Sequence, residues 1–131
     1  MSQPEQLRER TKQFVLRIIR LFRGLPRSDE ARILGKQLLR SGTSVAANYR
    51  AVCRARSKAE FMAKLGIVIE EADETVFWLE LLVDAGIVPN ARMQGLLTEA
   101  NELVAIFVAS RRTATRSSRA IAQSPKDSIT Q

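Results

Sequence analysis

Catalytic chemistry is short of parts in this sequence. Its 131 residues include no histidine and a single cysteine, Cys53. Ser/His and Cys/His nucleophile pairs therefore cannot be assembled, and neither can a metal site that draws on imidazole. The richest acidic group is Glu70, Glu71, Asp73 and Glu74, followed by Glu80 and Asp84. Di-iron and di-manganese bundles hold their metals with Glu-x-x-His on facing helices, so this cluster reads instead as solvated or salt-bridging. The sequence points to no catalytic residue, metal or cofactor, and to no small-molecule substrate.

The chemistry that the composition favours is recognition of anions. Lys and Arg number 21 against 14 Asp and Glu, a net charge of +7. Arginine supplies 16 of those cations, and its planar fork matches phosphate and carboxylate bidentately. The charge is unevenly placed. Residues 1–26 carry +4 and residues 27–57 carry +5, whereas residues 58–86 carry −5. Arg32, Lys36, Arg40, Thr43, Ala47, Arg50 and Arg54 recur every three or four residues, so they share one helix face, cationic at both ends and small in the middle. Arg10, Gln13, Arg17 and Arg20 form a similar row. These rows are candidates for contact with a phosphate backbone. Two other readings stand beside that one: a solvated face, or pairing with the acidic segment of the same or a neighbouring chain. One Trp and one Tyr are too few for single-strand binding by stacking, so Phe77 and Trp78 read as core or interface anchors.

These rows need helices to present them, and helical periodicity dominates. In a first segment Leu7, Thr11, Phe14, Ile18, Leu21 and Leu25 alternate steps of four and three, and Gly24-Leu25-Pro26 closes it. Ser28, ahead of Asp29 and Glu30, reads as the N-cap of a second helix that runs to Arg56. Ser57-Lys58-Ala59-Glu60 is a capping-box pattern that starts a third. The third carries the seam Phe61, Leu65, Val68, Ala72, Thr75, Leu79, Leu82, with Gly86 at its C-terminal cap. Pro89 suits the first turn of a fourth helix bearing Met93, Leu97, Ala100, Val104 and Phe107. Short connections make neighbours antiparallel, which predicts an all-α, up-down-up-down four-helix bundle over residues 1–113. The Ser/Thr/Arg-containing residues 114–131 lack an apolar stripe and read as a flexible tail.

Two of these helices look too apolar for a lone bundle. Beside its main seam the second carries Gly35, Leu39, Gly42, Ala46, Tyr49 and Cys53, and the third adds Met62, Ile69, Val76 and Val83. Coverage beyond roughly 100° of the helix suggests burial against a second copy. Gly42, Ala46, Tyr49, Met62, Ile69 and Val76 are the candidate oligomer interface. Ser41 and Asn48 are seam polar groups that need partners, and Cys53 reads as a small buried hydrophobe. No apolar run of about 18 residues spans a membrane. The opening Met1-Ser2-Gln3-Pro4-Glu5 lacks the layout of a signal peptide, and one cysteine forms no intrachain disulfide, so a cytoplasmic location is expected.

The run Leu38-Leu39-Arg40-Ser41-Gly42-Thr43-Ser44-Val45-Ala46-Ala47-Asn48-Tyr49 resembles the middle of the four-helix-bundle proteins encoded in bacterial 23S ribosomal-RNA intervening sequences. The likeness continues through Arg54-Ala55-Arg56-Ser57-Lys58-Ala59-Glu60-Phe61 and the block Glu70-Glu71-Ala72-Asp73-Glu74-Thr75 with Phe77-Trp78-Leu79-Glu80-Leu81-Leu82. It departs at Arg50-Ala51-Val52, where the family carries a Glu. The resemblance implies a protomer that assembles as a homopentameric barrel. It also implies a fold similar to the accessory variability determinant of diversity-generating retroelements, which binds a reverse transcriptase and its RNA. The expected function is therefore a non-enzymatic, homo-oligomeric adaptor for RNA or a ribonucleoprotein, with a reverse transcriptase as one partner. Arg32, Lys36, Arg40, Arg50 and Arg54, helped by Arg10, Arg17 and Arg20, would make the phosphate contacts. The competing expectation is a scaffold whose basic and acidic helices pair between subunits without nucleic acid.

Overall fold

The structure, a computed structural model, describes the backbone of residues 1–130 and the side chains of residues 1–117 and 119. It contains four helices in the order α1 (Gln3–Arg23), α2 (Asp29–Val52), α3 (Lys58–Asp84) and α4 (Asn90–Thr130), and no strand among the described residues. Each helix begins or ends where local chemistry satisfies its free backbone groups. The Ser2 hydroxyl accepts from the Glu5 N–H (3.3 Å), Ser28 from Ala31 (3.2 Å) and Ser57 from Glu60 (3.1 Å). At the end of α3, Gly86 takes φ +74°. Its N–H bonds to Val83 O (2.9 Å) while the Ile87 N–H bonds to Leu82 O (3.0 Å), the paired closure of a Schellman motif.

The second helix stops at Val52, four residues short of the expected Arg56. Arg54 and Ala55 bond back three residues, to Ala51 and Val52, so the chain tightens there. The physical reason is the next cap. Ser57 must stand extended (φ −149°, ψ 163°) to receive the Glu60 N–H, and a helix running to Arg56 leaves no residues in which to reverse direction. The Glu60 carboxylate reaches back to the Arg56 N–H (3.4 Å), one residue beyond the Ser57 N–H that a capping box uses.

Helices pack in sequence, α1 on α2, α2 on α3 and α3 on α4, with α4 closing more lightly on α1. The four-helix bundle is thus as the periodicity predicts. Leu7, Thr11, Phe14 and Ile18 of α1 are buried, as are Leu65, Val68, Ala72, Thr75, Leu79 and Leu82 of α3. In α4 the buried row is Met93, Leu96, Ala100, Leu103 and Phe107, so Leu97 and Val104 sit at its margin rather than at its centre. Helix α4 runs on past residue 113, where the bundle was expected to end, and Ala114 is still buried. Of the expected tail, the side chains of 118 and 120–131 lie outside the described residues.

Much of the surplus apolar width is consumed inside the protomer. A Cβ on Gly42 would sit 2.5 Å from Ile18 Cδ1, and one on Gly35 would sit 2.7 Å from Leu25 Cδ1, so these glycines admit α1. Tyr49 is buried and packs on Phe107, ring centroids 5.5 Å apart. Val76 is buried as well. Gly42, Tyr49 and Val76 therefore have little surface to give a second copy, whereas Ala46, Met62 and Ile69 are only half-buried. The seam polar groups are satisfied locally. Ser41 Oγ donates to Leu38 O (3.2 Å) and lies 2.9 Å from Thr75 Oγ1, and Asn48 Nδ2 donates to Ser44 O (2.8 Å). Cys53 is exposed rather than buried, because α2 ends before it.

Candidate nucleic-acid interface

The cationic residues singled out in the sequence do not converge on one surface. Arg10 faces α4, where its Nε donates to Glu99 Oε2 (2.9 Å) and its Nη2 reaches Glu99 Oε1 and Glu102 Oε2 (2.6 Å each). The hydrogen bond to Glu99 holds its guanidinium even more firmly protonated than usual. Arg17 lies on the same flank, its Nη2 3.1 Å from where a Cβ on Gly95 would stand. Helical spacing carries Arg20 along that row. Arg10 and Arg17 thus address the α1/α4 seam, not the α2 ridge.

Arg40 is drawn the other way, towards α3. It pairs with Glu71 (3.5 Å) and with Glu74, and its Nε donates to Gln37 Oε1 (3.2 Å). Glu74 also accepts from Trp78 Nε1 (3.1 Å), so the half-buried Trp78 props the carboxylate that holds Arg40. This is the expected alternative of basic helix against acidic helix, realised within a single chain. Arg54 lies in the turn beyond the end of α2, exposed and without an ion pair among the described residues.

What remains of the ridge within α2 is Arg32, Lys36 and Arg50, all exposed and without an ion pair among the described residues. Arg50 meets two cations that the sequence reading left out. Arg8 and Lys12 of α1 line a groove of about 530 Å³ with Arg50, over a floor of Ala46 and Ala47. The groove's rim also carries Glu5 and Glu9, so its local charge is close to balanced. Burial pushes the Tyr49 hydroxyl well above the usual tyrosine range, with Cys53 adding to the rise and Arg8 opposing it. Arg8 and Lys12 sit four apart, so their row was visible, but which neighbour it faced was not.

A second cationic groove lies between α3 and α4. Arg111, Arg112, Arg116 and Arg119 line about 600 Å³ with Met62, Ile69 and Val108, and no carboxylate joins them among the described residues. Position 66 is glycine, and the Arg111 guanidinium lies over it, 3.6 Å from where a Cβ would be. No three His, Cys, Asp or Glu side chains gather as a metal site among the described residues. Nor is any helix there long and apolar enough to cross a membrane.

Residues 5–109 match the family described as 23S rRNA-intervening sequence protein. A crystal structure of a protein of unknown function from the S23 ribosomal protein family of Bacteroides thetaiotaomicron superposes with a TM-score of 0.78 at 30% identity, covering 85% of this chain and 99% of that one. Comparison with curated proteins finds no match.

Proposed function

We propose that this chain, which belongs to the 23S rRNA-intervening sequence protein family, is a non-enzymatic, homo-oligomeric adaptor that binds RNA or a ribonucleoprotein through its α1/α2 face. The observation that carries the reading is the run of unpaired cations along α2, Arg32, Lys36 and Arg50, joined by Arg8 and Lys12 across a floor of alanines. Small side chains at Thr43, Ala46 and Ala47 leave the backbone of a polyanion room to approach. Arginine and lysine then neutralise phosphates and release their counterions. With one Trp and one Tyr in the chain, contact is to phosphate and sugar more than to bases. The family resemblance adds a homopentameric barrel as the assembly, and the likeness in fold to the retroelement accessory determinant adds a reverse transcriptase with its RNA as a partner.

The test is RNA binding by the Lys36→Glu/Arg50→Glu variant, followed by fluorescence anisotropy across a salt series. Affinity should fall by at least about tenfold, and the salt slope should flatten by roughly one unit or more. The secondary structure should be unchanged, because both positions are exposed. Binding equal to that of the unaltered protein would overturn the assignment.

A further inference from the structure

The α3/α4 groove and the exposed acidic row of α3 are complementary in charge, and neither is ion-paired among the described residues. The groove presents four guanidinium groups over an aliphatic floor of Met62, Ile69 and Val108. None of the four arginines is in an ion pair among the described residues. On the outer face of α3, Glu70, Asp73, Phe77, Glu80 and Asp84 follow each other at steps of three and four, all exposed. Phe77 is 53% exposed at the centre of this row, and Ile67, one step before Glu70, is 44% exposed. None of the row's four acids is in an ion pair among the described residues.

The floor of this groove is made of Met62, Ile69 and Val108, larger apolar side chains than the alanines of the α1/α2 face, so it offers contact to an apolar side chain as well as to anions. It suits an amphipathic helix whose apolar knobs enter the groove while its carboxylates meet the arginines. This chain carries such a helix. The α3 ridge cannot fold back into the groove of its own protomer, because α3 itself forms one wall of it.

We infer that the α3/α4 groove receives the acidic Phe77 ridge of a second copy of this chain. The contact rests on the self-association proposed above and supplies its mating surfaces. Where each copy gives its ridge to one neighbour and its groove to another, the contact is heterologous. Such contacts close into a ring when the rotation permits. Arginine forks and carboxylates then set the register, and Phe77 gives the buried anchor. Met62 and Ile69 gain the cover that the sequence expected for them.

The experiment is the mass of the full chain by light scattering, with circular dichroism to check folding. Unaltered protein should be oligomeric. Arg112→Glu/Arg116→Glu should fall to monomer, and so should Asp73→Arg/Glu80→Arg. The chain carrying all four substitutions should recover oligomer, since each new groove glutamate then has a new ridge arginine to pair with, while Arg111 and Arg119 still face Glu70 and Asp84. Phe77→Ala should raise the concentration for half-dissociation by roughly tenfold. Monomeric unaltered protein would remove the self-association reading itself. An oligomer that survives both charge reversals would leave that reading standing and overturn the groove as its seat. Two further outcomes would also overturn the inference: failure of the fourfold variant to recover, or a groove reversal that loses RNA while keeping its mass.

Discussion

Two cationic grooves of this bundle, at α1/α2 and at α3/α4, differ in how they are built. Between α1 and α2 the helices approach closely through Gly35 and Gly42, and Arg8, Lys12 and Arg50 stand beside Glu5 and Glu9. Between α3 and α4 the groove is lined by Met62, Ile69 and Val108, and four arginines stand with no carboxylate among the described residues. A groove with small side chains beneath it, continued by the exposed cations of α2, suits a polyanion that is held by many weak contacts. A groove with larger apolar side chains and uncompensated charge suits one amphipathic segment. The number of cations, three against four, hardly separates the two, and the counter-charge and the floor do.

The largest expected effect that sharpens this contrast is at the glycines. Gly42→Ala pushes a methyl group into the fully buried Ile18, at a cost of about 1–3 kcal/mol that the better helix propensity of alanine offsets by about 1 kcal/mol, so a net destabilisation of up to about 2 kcal/mol is expected. Gly66→Ala, under Arg111, meets only ordinary contact at 3.6 Å and removes a poor helix former, so a gain of about 0.5–1 kcal/mol is expected. Urea unfolding of the two variants checks both signs. Equal effects would mean that the two seams are equally close.

A smaller effect separates paired from unpaired arginine. Arg10→Ala loses a fork shared by Glu99 and Glu102, worth about 1 kcal/mol or less once its partial exposure is discounted. Arg112→Ala, which has no carboxylate in its groove, should change protomer stability by under about 0.5 kcal/mol. The same unfolding curves measure both, at a salt concentration high enough to keep the chains apart.

How much of this was legible in the sequence depends on whether a feature is local. Ser28, Ser57 and Gly86 act within a turn of the chain, and the spacing of their neighbours announced each one. The α1 stripe from Leu7 to Ile18 was equally plain. The end of α2 was not, because the length of the reversal before Ser57 depends on where α3 packs, and the exposure of Cys53 and the place of Arg54 in the turn follow from that error. The rows of cations were visible but their neighbours were not. Arg8 with Lys12 and Arg10 with Arg17 lie on opposite flanks of one stripe, and only the hand of the bundle decides which flank meets α2. The α4 arginines were hidden by the absence of an apolar stripe beyond Arg112, so no helix was expected to carry them past that point.

The smallest expected effect lies at the turn between α2 and α3, beside the second groove. Hydrogen bonding to Lys64, and then to the Arg56 N–H, holds the Glu60 carboxyl below the usual carboxylate range. A depressed folded value means that its contribution is present at neutral pH and is lost as pH falls through that folded value. Glu60→Gln should therefore unfold slightly more easily than the unaltered protein at pH 7, and the gap should close in acid. A gap that widens in acid would contradict the pairing.

The central claim is that the α1/α2 face holds RNA while self-association is carried elsewhere. Light scattering coupled to ultraviolet absorbance on purified Lys36→Glu/Arg50→Glu reads mass and bound nucleic acid in a single run. The account predicts the oligomer mass of the unaltered protein with the nucleic acid gone. A variant that keeps its nucleic acid, or one that loses its oligomer, would contradict it.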